Sequence, residues 1–76
     1  MMREWRKYDE RGALTGCVTV RTRFVTDAAL SVTMTSIVEG EETTKTKARF
    51  ERAEDYFDMI RTLESEFRDD GWRRTS

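Results

Sequence analysis

Three stretches of this chain alternate between a more apolar and a more polar residue. They span residues 18–24, 30–38 and 44–50, and threonine, serine and basic residues fill the polar positions. Alternation with a period of two is typical of a β-strand that buries one face and exposes the other. Turn-forming residues interrupt the pattern at 26–29 and at 39–42. We therefore predict three consecutive antiparallel strands joined by hairpin turns.

A further short strand is predicted at residues 5–8, ahead of a turn that ends at Gly12. It would raise the sheet to four strands. Trp5 has two interpretations: it covers the edge of the core, or it is an exposed anchor for a partner, since tryptophan is common at binding hot spots. Gly12 and Gly16 are interpreted as turn and bulge glycines, because the Gly-Lys-Ser/Thr ending of a phosphate-binding loop is absent.

The register of the strands can be predicted as well, because residues of one face must lie opposite residues of the same face. A three-residue loop at 27–29 and a five-residue loop at 39–43 both meet this condition. The pairs that follow are Phe24 with Val32, Val20 with Ser36, Met34 with Ala48, and Val32 with Phe50.

From residue 51 the apolar residues follow the period of a helix. The predicted apolar stripe consists of Ala53, Tyr56, Phe57, Ile60, Leu63 and Phe67. Acidic residues are concentrated in the first turn, where the helix dipole favours them. Gly71 fits the position after the C-cap, which would place Trp72 against Phe67 in a Schellman motif.

These elements predict an α+β fold in which a three- to four-stranded antiparallel β-meander packs against one C-terminal α-helix. We expect residues 1–72 to form a single domain and residues 73–76 a loose C-terminal tail, since 76 residues are too few for two domains. The first residues lack the apolar core of a signal peptide, and no apolar run is long enough to cross a bilayer. One cysteine cannot form an internal disulfide. A cytoplasmic protein without membrane contact is expected.

The chain lacks the residue types that catalysis and metal binding most often need. It contains no histidine, the commonest general base and metal ligand. Cys17 therefore has no histidine to activate it and is interpreted as a small packing residue. Four carboxylates lie close together on the predicted helix: Glu51, Glu54, Asp55 and Asp58. Hard cations need about six oxygen ligands, so this cluster is interpreted as a solvated face. We expect a non-enzymatic protein with no cofactor and no metal.

The predicted register gathers basic residues on the outward side of the sheet. One cross-strand row would hold Arg21, Thr35 and Lys47, and the next row Arg23, Thr33 and Arg49. Together with Lys45 they are the candidate partner-binding residues. The cations would flank a threonine strand at a separation of about 10 Å. Lysine, arginine and threonine are also ordinary on the solvent side of a sheet, and edge lysines discourage aggregation.

Three kinds of function are compatible with such a surface. The basic rows can bind an acidic protein partner, or the acidic helix face can imitate nucleic acid toward a basic partner; the residues of that helix face are Glu51, Glu54, Asp55 and Asp58. The basic face can instead bind nucleic acid, although it has no aromatic residue on which bases could stack. The third function is self-association through edge strands, which would give a homodimer.

Three segments add a resemblance to known proteins: residues 37–40 at a hairpin, 48–50 at the end of the last strand, and 53–56 at the start of the helix. This layout resembles that of several small phage-encoded anti-CRISPR proteins. The resemblance implies an inhibitor without catalysis, which binds a host effector complex in the host cytoplasm and blocks its nucleic-acid groove or its assembly. The order of elements is also similar to three-stranded DNA-binding domains of the AP2 and integrase-arm type, whose sheets usually present more arginine and an aromatic residue. Neither resemblance implies a role for an individual residue.

Overall fold

A computed structural model of the chain describes residues 1–75 and confirms the α+β architecture. Its elements are β1 (Met2–Tyr8), β2 (Leu14–Phe24), β3 (Leu30–Val38), β4 (Thr44–Phe50), α1 (Ala53–Asp69) and β5 (Arg73–Arg74). The five strands form one antiparallel sheet in the order β4-β3-β2-β1-β5. The predicted meander is thus the run from β1 to β4, and β1 begins at Met2 rather than at Trp5.

β5 corrects the prediction of a loose tail at residues 73–76. The Arg73–Arg74 strand pairs antiparallel with β1, and the backbone N–H of Thr75 donates to the carbonyl of Glu4 at 2.9 Å. Both arginines of β5 are exposed, so apolar periodicity carries no signal for this strand. Ser76, the last residue of the predicted tail, lies outside the described residues.

Both predicted registers are wrong by two residues. The observed pairs are Phe24 with Leu30, Val20 with Met34, Val32 with Ala48, and Leu30 with Phe50. A shift by two keeps every side chain on its predicted side of the sheet, because side chains alternate with a period of two. The periodicity therefore predicts the faces of the strands and leaves the register open.

The turn between β2 and β3 causes the first shift. The hydroxyl oxygen of Thr26 accepts a hydrogen bond from the backbone N–H of Ala29 at 2.9 Å, and the N–H of Val25 donates to the carbonyl of Ala29 at 3.0 Å. These local bonds close a turn over residues 25–29 instead of the predicted 27–29.

The second shift arises because the end of β3 stays bonded to β2. The backbone N–H of Glu39 donates to the carbonyl of Thr15 at 2.8 Å, and Val38 pairs with Gly16. Pairing between β3 and β4 starts only at Ser36 opposite Thr44, so the connection to β4 is longer than the predicted five residues.

The core lies between the sheet and α1. Its buried members are Trp5, Val18, Val20, Leu30, Val32, Tyr56 and Ile60. Each fully buried aliphatic side chain of this kind contributes roughly 1.5–3 kcal/mol. The Thr22 hydroxyl donates to the Tyr56 hydroxyl at 2.9 Å inside the core, which satisfies both buried polar groups. Trp5 is only 2% exposed, so its interpretation as a core residue is confirmed and its interpretation as an exposed anchor is wrong.

The predicted Schellman motif at the end of α1 is confirmed. The N–H of Trp72 donates to the carbonyl of Phe67 at 2.8 Å, and the N–H of Gly71 donates to that of Arg68 at 3.1 Å. Gly71 has a φ of 86°, a left-handed conformation that glycine adopts without steric cost. The rings of Phe67 and Trp72 lie 5.3 Å apart between centroids.

The helix covers only part of its side of the sheet. All residues from 44 to 49 of β4 are exposed, and two residues predicted to face the core, Phe24 and Phe57, are 59% and 43% exposed. The molecule measures 45 × 22 × 16 Å with a radius of gyration of 13.4 Å, against about 11 Å for a compact chain of this length. No helix within residues 1–75 has the length and apolarity needed to span a bilayer.

Candidate interaction face of the sheet

The side of the sheet that α1 does not cover, here called the outer face, collects all seven predicted partner-binding residues of the strands. Val18, Val20 and Thr22 are buried toward α1, so the residues between them point the other way. The cross-strand rows of β2, β3 and β4 are Thr19-Thr35-Lys45, Arg21-Thr33-Lys47 and Arg23-Ser31-Arg49.

The two register errors change the middle of each row and leave its ends unchanged. The predicted partner of Arg21 and Lys47 was Thr35, whereas the structure places Thr33 between them. The shifts of the two ladders cancel across β3, so each predicted pair of cations still shares a row. The structure thus confirms which basic residues lie together and corrects which hydroxyl lies between them.

Most cations of this face have no carboxylate partner. Arg21, Arg23, Lys45 and Lys47 are exposed, and none of them forms an ion pair within residues 1–75. Arg49 differs, because its Nε lies 2.7 Å from a carboxylate oxygen of Glu51. Four positive charges are therefore available to a partner.

The carboxylate that β1 contributes to the outer face is already neutralised. Glu4 lies opposite Thr19 and accepts a hydrogen bond from Nε of Arg6 at 2.7 Å. This bond, and next the hydrogen bond from the Cys17 thiol, hold the pKa of Glu4 below its ordinary value. Glu4 therefore stays ionised and paired, and it cancels little of the positive charge of the face.

Two shallow grooves run over the basic part of the outer face. One has a volume of about 640 Å³ and reaches Met1 and Met2 at the end of the sheet. The other has a volume of about 460 Å³ and reaches Lys45. Arg21, Thr33 and Lys47 line both grooves, so this row is the centre of the candidate site.

The opposite end of the outer face is apolar. Tyr8 lies opposite Leu14, and Cys17 lies opposite Ile37; these four residues are called the apolar end. Tyr8, Leu14 and Ile37 are 39%, 51% and 54% exposed, and a depression of about 190 Å³ lies beside Leu14, Cys17 and Ile37. The alternation of residues does not predict this patch, although Ile37 stands at an outward position of β3 that serine and threonine otherwise occupy.

Cys17 contributes a protonated thiol to the apolar end. Its Sγ lies 3.3 Å from a carboxylate oxygen of Glu4 and donates to it. Burial, and then the neighbouring Glu4, raise the pKa of this thiol. A thiol that stays protonated is a poor nucleophile, in agreement with its interpretation as a packing residue.

The predicted acidic helix face offers less free charge than its sequence suggests. Glu51 pairs with Arg49, Glu54 with Arg52, and Asp58 with Arg61. Of the four predicted carboxylates, Asp55 alone has no ion pair within the described residues. Glu51 corrects the prediction in a second way, because it lies ahead of α1, which begins at Ala53. No group of three or more acidic or cysteine side chains within residues 1–75 is arranged to hold a metal ion.

Comparison of this chain with protein-family models, with curated proteins and with solved structures finds no match.

Proposed function

We propose that this chain is a non-enzymatic binding protein that contacts an acidic protein partner through the outer face of its sheet. The observation that carries the proposal is that one uncovered face of the sheet has both a basic surface and an apolar surface. Four cations of this face have no ion pair within residues 1–75, namely Arg21, Arg23, Lys45 and Lys47. Exposed apolar side chains lie at the other end of the same face. Protein interfaces commonly combine an apolar centre with charged groups around it.

The overall charge favours a protein partner over nucleic acid. Nucleic-acid-binding domains usually carry a strong excess of positive charge, whereas this chain has a net charge of −1 and a pI of about 5.5. The basic rows also hold no aromatic side chain between the cations, so unpaired bases would have nothing to stack on. A local basic patch on a nearly neutral protein favours a protein partner whose negative charge is also confined to one patch.

The acidic helix face supports this choice of surface. Three of the four predicted carboxylates are engaged by arginines, so this predicted face keeps one unpaired carboxylate within residues 1–75, that of Asp55. The outer face has the larger unpaired charge and is the better candidate for the contact.

The anti-CRISPR resemblance implies that the partner is an effector complex of a host defence system, blocked by direct contact. That identity stays a prediction, since no comparison bears on it. The physical part of the proposal, an acidic protein surface on the outer face, does not depend on it.

Duplex nucleic acid is the second candidate ligand, because of one specific feature. Cations on β2 and β4 flank the hydroxyl groups of Ser31 and Thr33 on β3, at a spacing of about 10 Å. The major groove of DNA is about 12 Å wide, and serine and threonine can contact base edges.

A comparison of two polyanions tests the proposal. Fluorescently labelled poly-L-glutamate and a mixed-sequence DNA duplex are titrated with the protein at low and at physiological salt. We expect poly-L-glutamate to bind, and its affinity to fall about tenfold when Arg21→Gln and Lys47→Gln remove the central cations. The matched control is Arg61→Gln with Arg68→Gln, which removes two charges from α1 and should leave the affinity unchanged.

The duplex decides between the candidates. Binding of the duplex at physiological salt, with a steep salt dependence and no binding of poly-L-glutamate, would overturn the proposal in favour of nucleic acid.

A further inference from the structure

The edge of the sheet formed by β4 is open. β4 is the last strand in the sheet order, and β3 is its one neighbour within residues 1–75. Residues 44–49 are exposed on both sides of the sheet, since α1 does not reach over them. An edge strand of this kind presents backbone N–H and C=O groups that can pair with another extended chain.

The opposite edge is less accessible. There the short β5 pairs with β1, and the hydrogen bond from Thr75 to Glu4 extends this closure by one residue. The seven residues of β4 are therefore the longer free edge.

The side chains of β4 oppose pairing with a second copy of this chain. Lys45, Lys47 and Arg49 point to the outer face at alternate positions. Two copies joined antiparallel through β4, around a two-fold axis perpendicular to the sheet, would keep both outer faces on the same side. The Cβ atoms of their basic residues would then lie about 5 Å apart across the joint, and like charges directly opposite each other are unfavourable.

The same arrangement selects an acidic strand. A segment with glutamate or aspartate at every second position would place its carboxylates opposite Lys45 and Lys47 when its backbone pairs with β4. On the other side of the sheet, β4 presents the small side chains Thr44, Thr46 and Ala48, which leave room for the remaining residues of the segment. A polynucleotide lacks the amide groups needed to extend the ladder.

We infer that β4 binds an extended acidic segment of a partner protein by strand addition. This inference rests on the proposed function and adds to it the chemistry and the geometry of the contact. The cations that exclude a second copy are the groups that recognise the partner, so one row of side chains sets both what binds and what does not.

The test uses seven-residue peptides, which match the length of β4. The first peptide alternates threonine with glutamate, and the second has the same composition with its glutamates adjacent. Binding is followed by the amide resonances of isotope-labelled protein. We expect the alternating peptide to bind about tenfold more tightly and to shift the amides of β4. Equal affinity of the two peptides would overturn the inference.

Backbone methylation separates strand addition from simple charge attraction. One version of the alternating peptide is N-methylated at its odd-numbered amides and the other version at its even-numbered amides. In an added strand, one of these two sets of amides faces β4 and the other faces away from it. We expect one version to lose binding and the other to keep it. If both versions bind as the unmethylated peptide does, strand addition is wrong, while the proposed function stands because an acidic ligand still binds the outer face. If no acidic peptide and no poly-L-glutamate binds, both fall.

A charge exchange gives a third readout. Lys45→Glu with Lys47→Glu should bind a threonine–lysine alternating peptide and lose the threonine–glutamate one. Lys45→Gln with Lys47→Gln replaces the reversed variant if that variant does not fold. It should lose binding of the threonine–glutamate peptide without gaining binding of the threonine–lysine peptide. A control that removes two charges from α1, Arg61→Gln with Arg68→Gln, should bind the acidic peptide as the unaltered protein does. Retention of the acidic peptide by the Lys45 and Lys47 variants would contradict the inference.

Discussion

Because Gly16 has no side chain, the ring of Trp72 can pack directly on β2, and this contact positions the C-terminal part of the fold. Gly16 is buried in β2 opposite Lys7, next to the point where Thr15 forms a bulge. The ring of Trp72 lies over it, and a Cβ at Gly16 would stand 2.6 Å from the nearest ring atom. The sequence predicted a bulge glycine, but this contact joins residues far apart in the chain and left no periodic signal.

We expect Gly16→Ala to lower the free energy of unfolding by about 1–3 kcal/mol, because the added methyl group must displace the Trp72 ring. Chemical denaturation of the variant measures the loss. Trp72→Ala is the partner in a double-mutant cycle: in its background Gly16→Ala should cost far less. An equal cost in both backgrounds would show that the ring is not the cause.

Asp70 provides a pH-dependent contact at the same end of the molecule. The hydrogen bond from Nζ of Lys7, and next that from the Trp72 indole, hold the pKa of Asp70 below its ordinary value of 3.8. A carboxylate with a depressed folded-state pKa stabilises the fold above its unfolded pKa and loses this effect as the pH falls through the folded value.

We therefore expect the midpoint of thermal unfolding to fall more steeply in the unaltered protein than in Asp70→Asn as the pH drops below about 4. Asparagine can still accept from the Trp72 indole, so the comparison isolates the charge. Parallel curves for the two proteins would mean that Asp70 makes no net contribution.

At the scale of elements, α1 is well terminated at one end and poorly at the other. Its C-terminus has the complete Schellman motif, whereas its N-cap residue, Arg52, makes no side-chain capping bond. The N–H groups of the first turn therefore lack the acceptor that serine, threonine or aspartate would supply.

We expect Arg52→Ser to raise the free energy of unfolding by about 0.5–1 kcal/mol. Arg52→Ala is the control, because it removes the ion pair with Glu54 without adding a cap. The gain should be absent in the alanine variant. A serine variant no more stable than the alanine variant would contradict the capping argument.

How far the sequence could predict these elements depends on whether local or distant residues decide them. The end of α1 was predictable because Phe67, Gly71 and Trp72 lie within six positions of one another. The strand faces were predictable for the same reason. The register was not, since alternation is unchanged by a shift of two and the Thr26 hydroxyl decides the turn.

The candidate site was predictable to the same extent. The basic residues follow from alternation alone, so their shared face was correctly predicted. The apolar end was missed because Tyr8 and Leu14 meet beside a bulge that periodicity does not show. The exposure of Phe24 and of β4 depends on where α1 ends on the sheet, which is a tertiary property.

At the scale of the whole molecule, the elongated shape leaves two surfaces that no other part of residues 1–75 covers, the outer face and the β4 edge. We expect the cations of β4 to oppose pairing of this edge with a second copy. Removing that charge should therefore convert the free edge into a site of self-association, the third function that the sequence suggested.

We expect the unaltered protein to be a monomer at low salt and the triple variant Lys45→Thr, Lys47→Thr and Arg49→Thr to self-associate, since threonine favours strands and carries no charge. Light scattering after size-exclusion chromatography measures both. A control variant with Arg52, Arg61 and Arg68 changed to glutamine loses the same number of positive charges at and along α1 and should stay monomeric. A dimer of the unaltered protein at low salt would contradict this account of the edge.

The most direct test of the central claim is a map of the protein's amide resonances during titration with poly-L-glutamate at physiological salt. We expect the largest shifts at Arg21, Thr33 and Lys47 on the outer face, with little change along the exposed side of α1. Shifts confined to the arginines of α1 or to β5, or no shift at all, would contradict the claim that the outer face is the surface through which this protein binds.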